Sequence, residues 1–234
     1  MRKLAILAIL ALLAVTSANA AQITQTQTYS GIPNLTQNMT FNQFDDNGGA
    51  YTLNSIKVIL NLNTSGGQLV LDNDSDAPAA GVFEFGAKGN ITSPDVTLLN
   101  AAFQPITTTA EALNTGVFNL SGNVGDVPND YDPTPPDGML HTGVPAFDSQ
   151  SDFVGSAFWA TGTKGYLGTG TYDIALSVNQ WLDYGSVGGI EFSATPVSAS
   201  GDVTVIYDYT IPEPATIALL SVGTLGFIRR RKLA

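Results

Sequence analysis

Short runs of alternating apolar and polar residues, divided by turn-forming clusters, most strongly constrain how this chain folds. Apolar side chains occupy every second position in residues 55–63 and again in residues 202–210. A period of two places one set of side chains on a single face of a β-strand. Clusters of Gly, Asn, Asp and Ser, such as 45–49 and 64–67, separate these runs and favour turns. The pattern therefore predicts strands joined by tight connections.

Many short strands at this spacing predict one all-β domain, an antiparallel β-sandwich of jelly-roll-like or Ig-like type. A helical turn is expected only over residues 109–114. Residues 122–150 are rich in Pro and Asp, which predicts an irregular exposed loop. Further strands are predicted over 22–29, 38–44, 68–71, 82–85, 96–99, 116–120, 157–161, 172–178 and 189–194.

The N-terminal end differs in character from this body. A basic start precedes an apolar stretch over residues 4–15, and small residues follow at Ala18 and Ala20. This order is typical of a secretory signal peptide with an A-x-A cleavage site. We therefore expect removal of residues 1–20 and a mature chain that begins at Ala21.

The C-terminal end carries three elements in order. The tripeptide Pro212-Glu213-Pro214 is followed by an apolar run over residues 215–228 and then by a basic cluster. As a helix this run would extend about 21 Å, short of the roughly 30 Å hydrocarbon core of a bilayer. Cations after an apolar segment are typical of the cytoplasmic side, and their long side chains tolerate a short span. We therefore predict a short transmembrane helix ended by a stop-transfer cluster of Arg229, Arg230, Arg231 and Lys232.

This tail resembles the PEP-CTERM sorting domain, which has the same three elements in the same order. The resemblance implies a Gram-negative envelope and processing by an exosortase, a membrane-embedded cysteine transpeptidase. The enzyme would act at or near Pro212-Glu213-Pro214 and remove the tail. Proteins of this kind are common in bacteria that make exopolysaccharide. A plain C-terminal membrane anchor without processing remains the alternative.

Residues 23–60 resemble the opening of the choice-of-anchor E domain. Members of that family are joined to different surface anchors and have no assigned activity, so the resemblance implies a surface location and no reaction. Within this region and downstream of it, the matching segments are Thr26-Gln27-Thr28, Phe41-Asn42-Gln43-Phe44-Asp45, Leu53-Asn54-Ser55-Ile56, Asp152-Phe153-Val154-Gly155 and Val203–Tyr209.

Charge and cysteine content exclude several functions. The chain has a formal net charge of −11 and no Cys. Most of its cations lie in the two end segments, so residues 21–211 keep only Lys57, Lys88 and Lys164 and are more acidic than the chain as a whole. A strongly negative body repels nucleic acid phosphates, which excludes nucleic acid as a partner. The absence of Cys excludes disulfides, thiol chemistry and zinc–thiolate sites.

Carboxylates at alternate positions form one candidate metal site. Asp72, Asp74 and Asp76 supply hard oxygen ligands with a spacing that would wrap a calcium ion. The EF-hand pattern is not met, and a polar turn between two strands is the favoured alternative. A second acidic set has the same two interpretations, and it consists of Asp126, Asp130, Asp132 and Asp137. We therefore expect no cofactor, and calcium is the one alternative.

The residues favour no catalytic site. The lone His141 falls in the expected loop, and no Gly-x-Ser-x-Gly is present, so a Ser-His-Asp triad is not assigned. Glu84, Glu111 and Glu191 are the glutamates of the body. Paired carboxylates would serve glycoside hydrolysis. Glu84 and Glu191, however, alternate with aromatic residues, as outward-facing strand positions do. We therefore expect that the protein is not an enzyme.

Three functional hypotheses remain. The favoured one is a non-enzymatic protein of the cell surface or exopolysaccharide matrix, which meets an exosortase and the membrane during sorting. The second is a carbohydrate-binding module at the same location, with or without assistance from calcium. The third and least favoured is a polysaccharide hydrolase. Aromatic residues that would stack on sugar rings, or else belong to the core or its rim, are Trp159, Trp181, Tyr166 and Tyr184.

Overall fold

The computed structural model describes residues 19–106, 109–125, 127 and 130–212. Eleven β-strands and one 3₁₀ turn, Ser156–Phe158, make up this part of the chain. The strands are β1 (Asn19–Gly31), β2 (Leu35–Asn42), β3 (Thr52–Ser65), β4 (Gln68–Asn73), β5 (Ala79–Thr92), β6 (Ala110–Leu120), β7 (Gly138–Thr142), β8 (Ala146–Phe153), β9 (Thr171–Asp183), β10 (Ile190–Thr195) and β11 (Ser198–Ile211).

Every pairing between these strands is antiparallel. One four-stranded sheet has the order β1-β11-β3-β8, and the other has the order β2-β9-β5-β6. A three-stranded sheet has the order β10-β4-β7. The predicted all-β, antiparallel sandwich is therefore confirmed. Because β11 lies between β1 and β3, the first and last strands of the domain are neighbours.

The core lies between the two four-stranded sheets, where alternate side chains of each central strand are buried. In β3 the residues that face inwards are fully buried, and their neighbours are only partly covered. The alternation predicted for residues 55–63 is thus confirmed. Full burial of an aliphatic side chain contributes about 1.5–3 kcal/mol. The fully buried side chains of β3, β9 and β11 that face this core are Ile56, Val58, Leu60, Leu62, Tyr172, Ile174, Leu176, Val178, Val203, Val205 and Tyr207.

Glutamine side chains join the two large sheets where β1 runs beside β2. The Gln25 amide nitrogen donates to the Asn42 carbonyl at 2.9 Å, and the Asn42 N–H donates back to the Gln25 side-chain oxygen at 2.7 Å. Gln27 donates to the carbonyl of Thr40 at 3.0 Å. These amides occupy the backbone groups that a neighbouring strand would otherwise pair. They therefore cover part of an edge that would be open to association.

Two short predictions of local structure are wrong. Residues 110–114 form the start of β6 and not a helical turn, because pairing with β5 outweighs the helix propensity of Ala and Glu. Residues 157–161 form the end of the 3₁₀ segment and the turn after it, not a strand. The predicted strand over 96–99 is reduced to a single bridge between Leu99 and Pro105.

The Pro/Asp-rich segment also differs from expectation. Within residues 122–150 the second half contains β7 and the start of β8, which pair with β4 and β3. Partners this remote along the chain leave no local pattern in the composition. Among the described residues no helix is long and apolar enough to cross a membrane. The predicted transmembrane helix over 215–228 and most of the predicted signal peptide lie outside those residues.

Candidate functional sites

The predicted processing points lie at the same end of one sheet. In the β1–β11 ladder Ala20 pairs with Thr210, and Ala21 pairs with Tyr209. Ile211 ends β11, and exposed Pro212 follows it without a linker. The remaining sorting residues Glu213 and Pro214, the basic cluster 229–232 and the signal residue Ala18 lie outside the described residues.

The three candidate calcium ligands face different surroundings. Asp72 is fully buried in β4, where its Oδ2 accepts the Asp132 backbone N–H at 2.9 Å. Asp74 follows β4, and its backbone N–H donates to the Gly189 carbonyl at 2.9 Å. Asp76 is exposed. Within residues 19–106, 109–125, 127 and 130–212, no group of three or more His, Asp or Glu side chains is arranged to hold a metal ion.

Two carboxylates of the second acidic set accept hydrogen bonds from backbone N–H groups of the loop. Asp137 is buried, and its Oδ2 accepts the N–H of Val124. Asp132 Oδ1 accepts the N–H of Thr134 at 2.9 Å. Asp130 is exposed, and Asp126 lies outside the described residues. Carboxylates that accept nearby backbone N–H groups are a common means of stabilising turns, and Asp132 and Asp137 do so here.

A buried asparagine that the sequence did not single out organises the turn after β4. Asn73 is fully buried, and its amide nitrogen donates to the carbonyls of Ala77 at 2.9 Å and Ser121 at 2.5 Å. Its side-chain oxygen accepts the Ser75 hydroxyl at 2.7 Å. The polar composition of residues 72–76 predicted a turn, but Asp72 and Asn73 still belong to β4 and the turn begins after them. It gave no sign of which residue would be buried within it.

His141 lies in β7, so its predicted place in an irregular loop is wrong. Its Nε2 is 3.2 Å from the Asn114 side-chain oxygen, and its ring centroid is 4.8 Å from that of Phe83. Burial lowers the pKa of His141 below its usual value. Its contacts in the described part of the chain are an amide and aromatic rings. They are not the serine hydroxyl and carboxylate of a catalytic triad.

Two of the three body glutamates are engaged on the outer face of the β6-β5-β9 strands. Glu84 accepts the Trp181 indole N–H at 2.9 Å, and Glu111 forms an ion pair with Lys88 at 3.0 Å. The Lys88 ammonium also lies 3.7 Å from the centroid of the Trp181 ring. Glu191 lies in β10, directly opposite Asp72. The glutamates are therefore divided between two surroundings.

The four aromatic residues considered as a sugar platform do not share one surface. Tyr166 is fully buried in the core, and Trp181 is covered by Lys88. Tyr184 packs against Phe192, with ring centroids 5.4 Å apart. Trp159 lines a shallow surface groove, and its indole N–H donates to the Val154 carbonyl at 3.2 Å. These four side chains therefore do not form one platform, and Tyr166 belongs to the core.

The groove beside Trp159 has a volume of about 450 Å³. It lies between the start of β3, the end of β8, and the loops around residues 100 and 155. On its wall the Asn100 amide donates to Asp152 Oδ2 at 3.0 Å. Half-exposed Phe153 forms an apolar part of the lining. Of the lining residues, the sequence indicates only Trp159 as a ligand contact. The main polar and aromatic lining residues are Asn54, Ser55, Asn100, Asp152, Phe153 and Trp159.

Comparison with known families agrees with the C-terminal geometry. The PEP-CTERM protein-sorting motif matches residues 210–232, so it begins in the last two residues of β11. The motif marks an exported protein that is sorted through the cell envelope. It implies processing by an exosortase and membrane anchoring during sorting. The tail resemblance is thereby confirmed.

No curated protein matches this chain. Among solved structures, the infectious bursal disease virus Gx strain aligns at 9% identity and a TM-score of 0.20, covering 93% of this chain and 50% of that chain. The STIV MCP aligns at 10% identity and a TM-score of 0.25, covering 80% and 48%. This chain thus spans about half the length of these proteins. Turnip yellow mosaic virus aligns at 8% identity and a TM-score of 0.20, covering 80% and 93%. These likenesses are too distant to bear on what this chain does.

Proposed function

We propose that this chain is a non-enzymatic protein of the cell surface or exopolysaccharide matrix of a Gram-negative bacterium, released from its membrane tail by an exosortase. One observation carries the proposal. The sorting motif over 210–232 starts where the last strand of a complete β-sandwich ends. Cleavage near Pro212 would therefore release a domain whose core is intact.

The pairing of the chain ends supports an ordered maturation. Removal of the signal peptide after Ala20 takes away the β1 partners of Thr210 and Ile211. Thr210 keeps its pairing with Thr52 of β3, whereas Ile211 has no β3 partner in the ladder. Cleavage at the N-terminus would thus leave extended backbone open on one side, directly before the sorting motif. An extended segment is the form in which a peptide enters a protease-like cleft.

The surroundings of the ionisable residues support a role without catalysis. Glu84 is held by an indole N–H and Glu111 by an ammonium, while His141 contacts an amide and aromatic rings. None of these arrangements presents an activated nucleophile and base to solvent. The resemblance of residues 23–60 to the choice-of-anchor E domain supports the same conclusion, since that family is known for its anchors and not for a reaction.

Intact mass spectrometry of the protein recovered from its host tests the proposal. We expect a chain that begins at Ala21 and lacks residues 229–232. Replacement of Pro212, Glu213 and Pro214 by alanine should leave an unprocessed precursor in the inner membrane. Recovery of wild-type protein that still carries its basic tail would instead indicate a plain membrane anchor.

A further inference from the structure

We propose that the groove beside Trp159 binds a neutral polysaccharide chain. The groove is built from segments far apart along the chain, with Asn54 from β3, Asn100 from a loop, and Asp152 from β8. This inference names a ligand class for the surface protein proposed above. It rests on that proposed function only for the location at which the protein would encounter the polysaccharide. Binding itself is a property of the folded domain.

The polar side of the groove is held in position before any ligand arrives. Asp152 accepts the Asn100 amide at 3.0 Å and the Phe153 backbone N–H at 2.7 Å. The Asn100 side-chain oxygen accepts the N–H groups of Ala102 at 2.9 Å and Gln104 at 3.0 Å. Side chains that are already fixed lose little conformational entropy on binding. Their remaining hydrogen-bonding capacity suits hydroxyl groups, which both donate and accept.

Aromatic side chains are exposed in and beside the groove. Phe153 is 49% exposed in the groove, and nearby Phe103 is 68% exposed. The ring of Phe103 packs edge-on against Phe158, with centroids 5.2 Å apart. Phe103 has a φ of 60°, in the left-handed region that is unfavourable for a bulky residue. The loop therefore holds an aromatic ring towards solvent at an energetic cost, and such strain often accompanies a binding role.

This combination matches the chemistry of a sugar chain. A pyranose ring has an apolar face of C–H groups, which packs on the negative face of an aromatic ring, and hydroxyls around its edge. The residues that line the groove supply amides, a carboxylate and hydroxyls, and none of them is a cation. The Lys57 ammonium lies over the Phe153 ring, 5.8 Å from its centroid. In a chain of net charge −11, an anionic polysaccharide would be repelled, so a neutral one is favoured.

Two phenylalanines of β8 provide a matched pair for the test. Phe153 lines the groove, whereas Phe147 is 62% exposed elsewhere on the same strand and the same face. The chain over residues 21–211 is used, because the buried core runs from Tyr29 to Tyr207 and so lies entirely within it. Calorimetric titration is performed with cellohexaose, mannohexaose and xylohexaose, with an alginate oligomer as the anionic probe and a mixed peptide library as the protein-like probe.

We expect one or more neutral probes to bind. Phe153→Ala and Phe103→Ala should each weaken binding about tenfold, since each removes stacking surface, and Phe147→Ala should leave it unchanged. Failure of every neutral probe, equal loss in Phe147→Ala, or preference for alginate or peptide would overturn the proposal. The measurement uses purified domain, so it succeeds or fails independently of exosortase processing.

Discussion

The phenol oxygens of Tyr172 and Tyr207 lie 2.8 Å apart in the core, joining the two large sheets of the sandwich. The Tyr207 hydroxyl donates to the Asn42 carbonyl at 3.1 Å, so its one hydrogen is used there and Tyr172 must donate to Tyr207. The Asn42 carbonyl also accepts the Gln25 side chain. A continuous network therefore runs from the centre of the core to the junction of β1 with β2.

This direction of donation predicts unequal effects for the two tyrosines. Tyr207→Phe leaves the buried Tyr172 hydroxyl without an acceptor and should lower the free energy of unfolding by about 1–3 kcal/mol. Tyr172→Phe leaves the Tyr207 donor satisfied and should cost less. Urea denaturation at neutral pH measures both. The double variant has no orphaned hydroxyl and should be more stable than Tyr207→Phe alone, and an additive loss would contradict the assigned direction.

The same tyrosines predict a loss of stability in alkali. Burial raises the pKa of Tyr172, Tyr207 and Tyr166 above the ordinary value of 10.0. Above about pH 10 the unfolded chain releases these protons while the folded protein keeps them. The contribution of the neutral phenols to stability is therefore complete below pH 10 and declines as pH rises further. Denaturation between pH 8 and about pH 12 should show this fall.

Fewer buried phenols should make the alkaline decline shallower. The Tyr172→Phe/Tyr207→Phe double variant keeps only Tyr166 of the three, so its free energy of unfolding should fall less steeply with pH. An identical slope in the double variant and the wild type would show that other groups control alkaline unfolding.

Gln25 should be sensitive to a substitution that keeps its shape. Gln25→Glu removes the donor to Asn42 and places a carboxylate oxygen against a carbonyl, so the free energy of unfolding should fall by about 1–3 kcal/mol. Gln68→Glu is the matched control. Gln68 is exposed on β4, and the substitution adds the same charge there. Equal effects of the two substitutions in thermal unfolding would mean that added charge, and not the lost hydrogen bond, is responsible.

The turn after β4 predicts a stabilising substitution. Both carboxylate oxygens of Asp74 are buried and have no hydrogen-bond partner among the described residues. An amide costs less to desolvate than a carboxylate, so Asp74→Asn should raise the free energy of unfolding by about 1 kcal/mol. Asp76→Asn, at an exposed position, should have no effect.

Calcium distinguishes the two interpretations of this turn. We expect no change in the melting temperature on adding calcium, because no group of three ligands is assembled within the described ranges. A rise that disappears in Asp74→Asn would instead reveal a bound cation through its linkage to the native state. It would also favour a calcium-assisted binding module.

Local pattern was sufficient for the strands that make the core. Residues 56, 58, 60 and 62 alternate in the sequence, and they are buried together in β3. Such a period is a direct consequence of strand geometry and needs no knowledge of the partner. The local sequence pattern was insufficient at residues 110–114 and 157–161, because these segments are short and their structure depends on the elements they pack against. Thr204 illustrates the same limit, because it points away from the core face yet is buried.

The sequence by itself determined the all-β class, the alternating core positions and the sorting signal over 210–232, because each depends on residues close together along the chain. Only the tertiary structure decided which strands pair, which way Asp72 faces, and that Asn54, Asn100 and Asp152 meet in one groove. These outcomes depend on contacts between distant segments. Such contacts form where burial and backbone pairing are satisfied together, and a local pattern does not specify them.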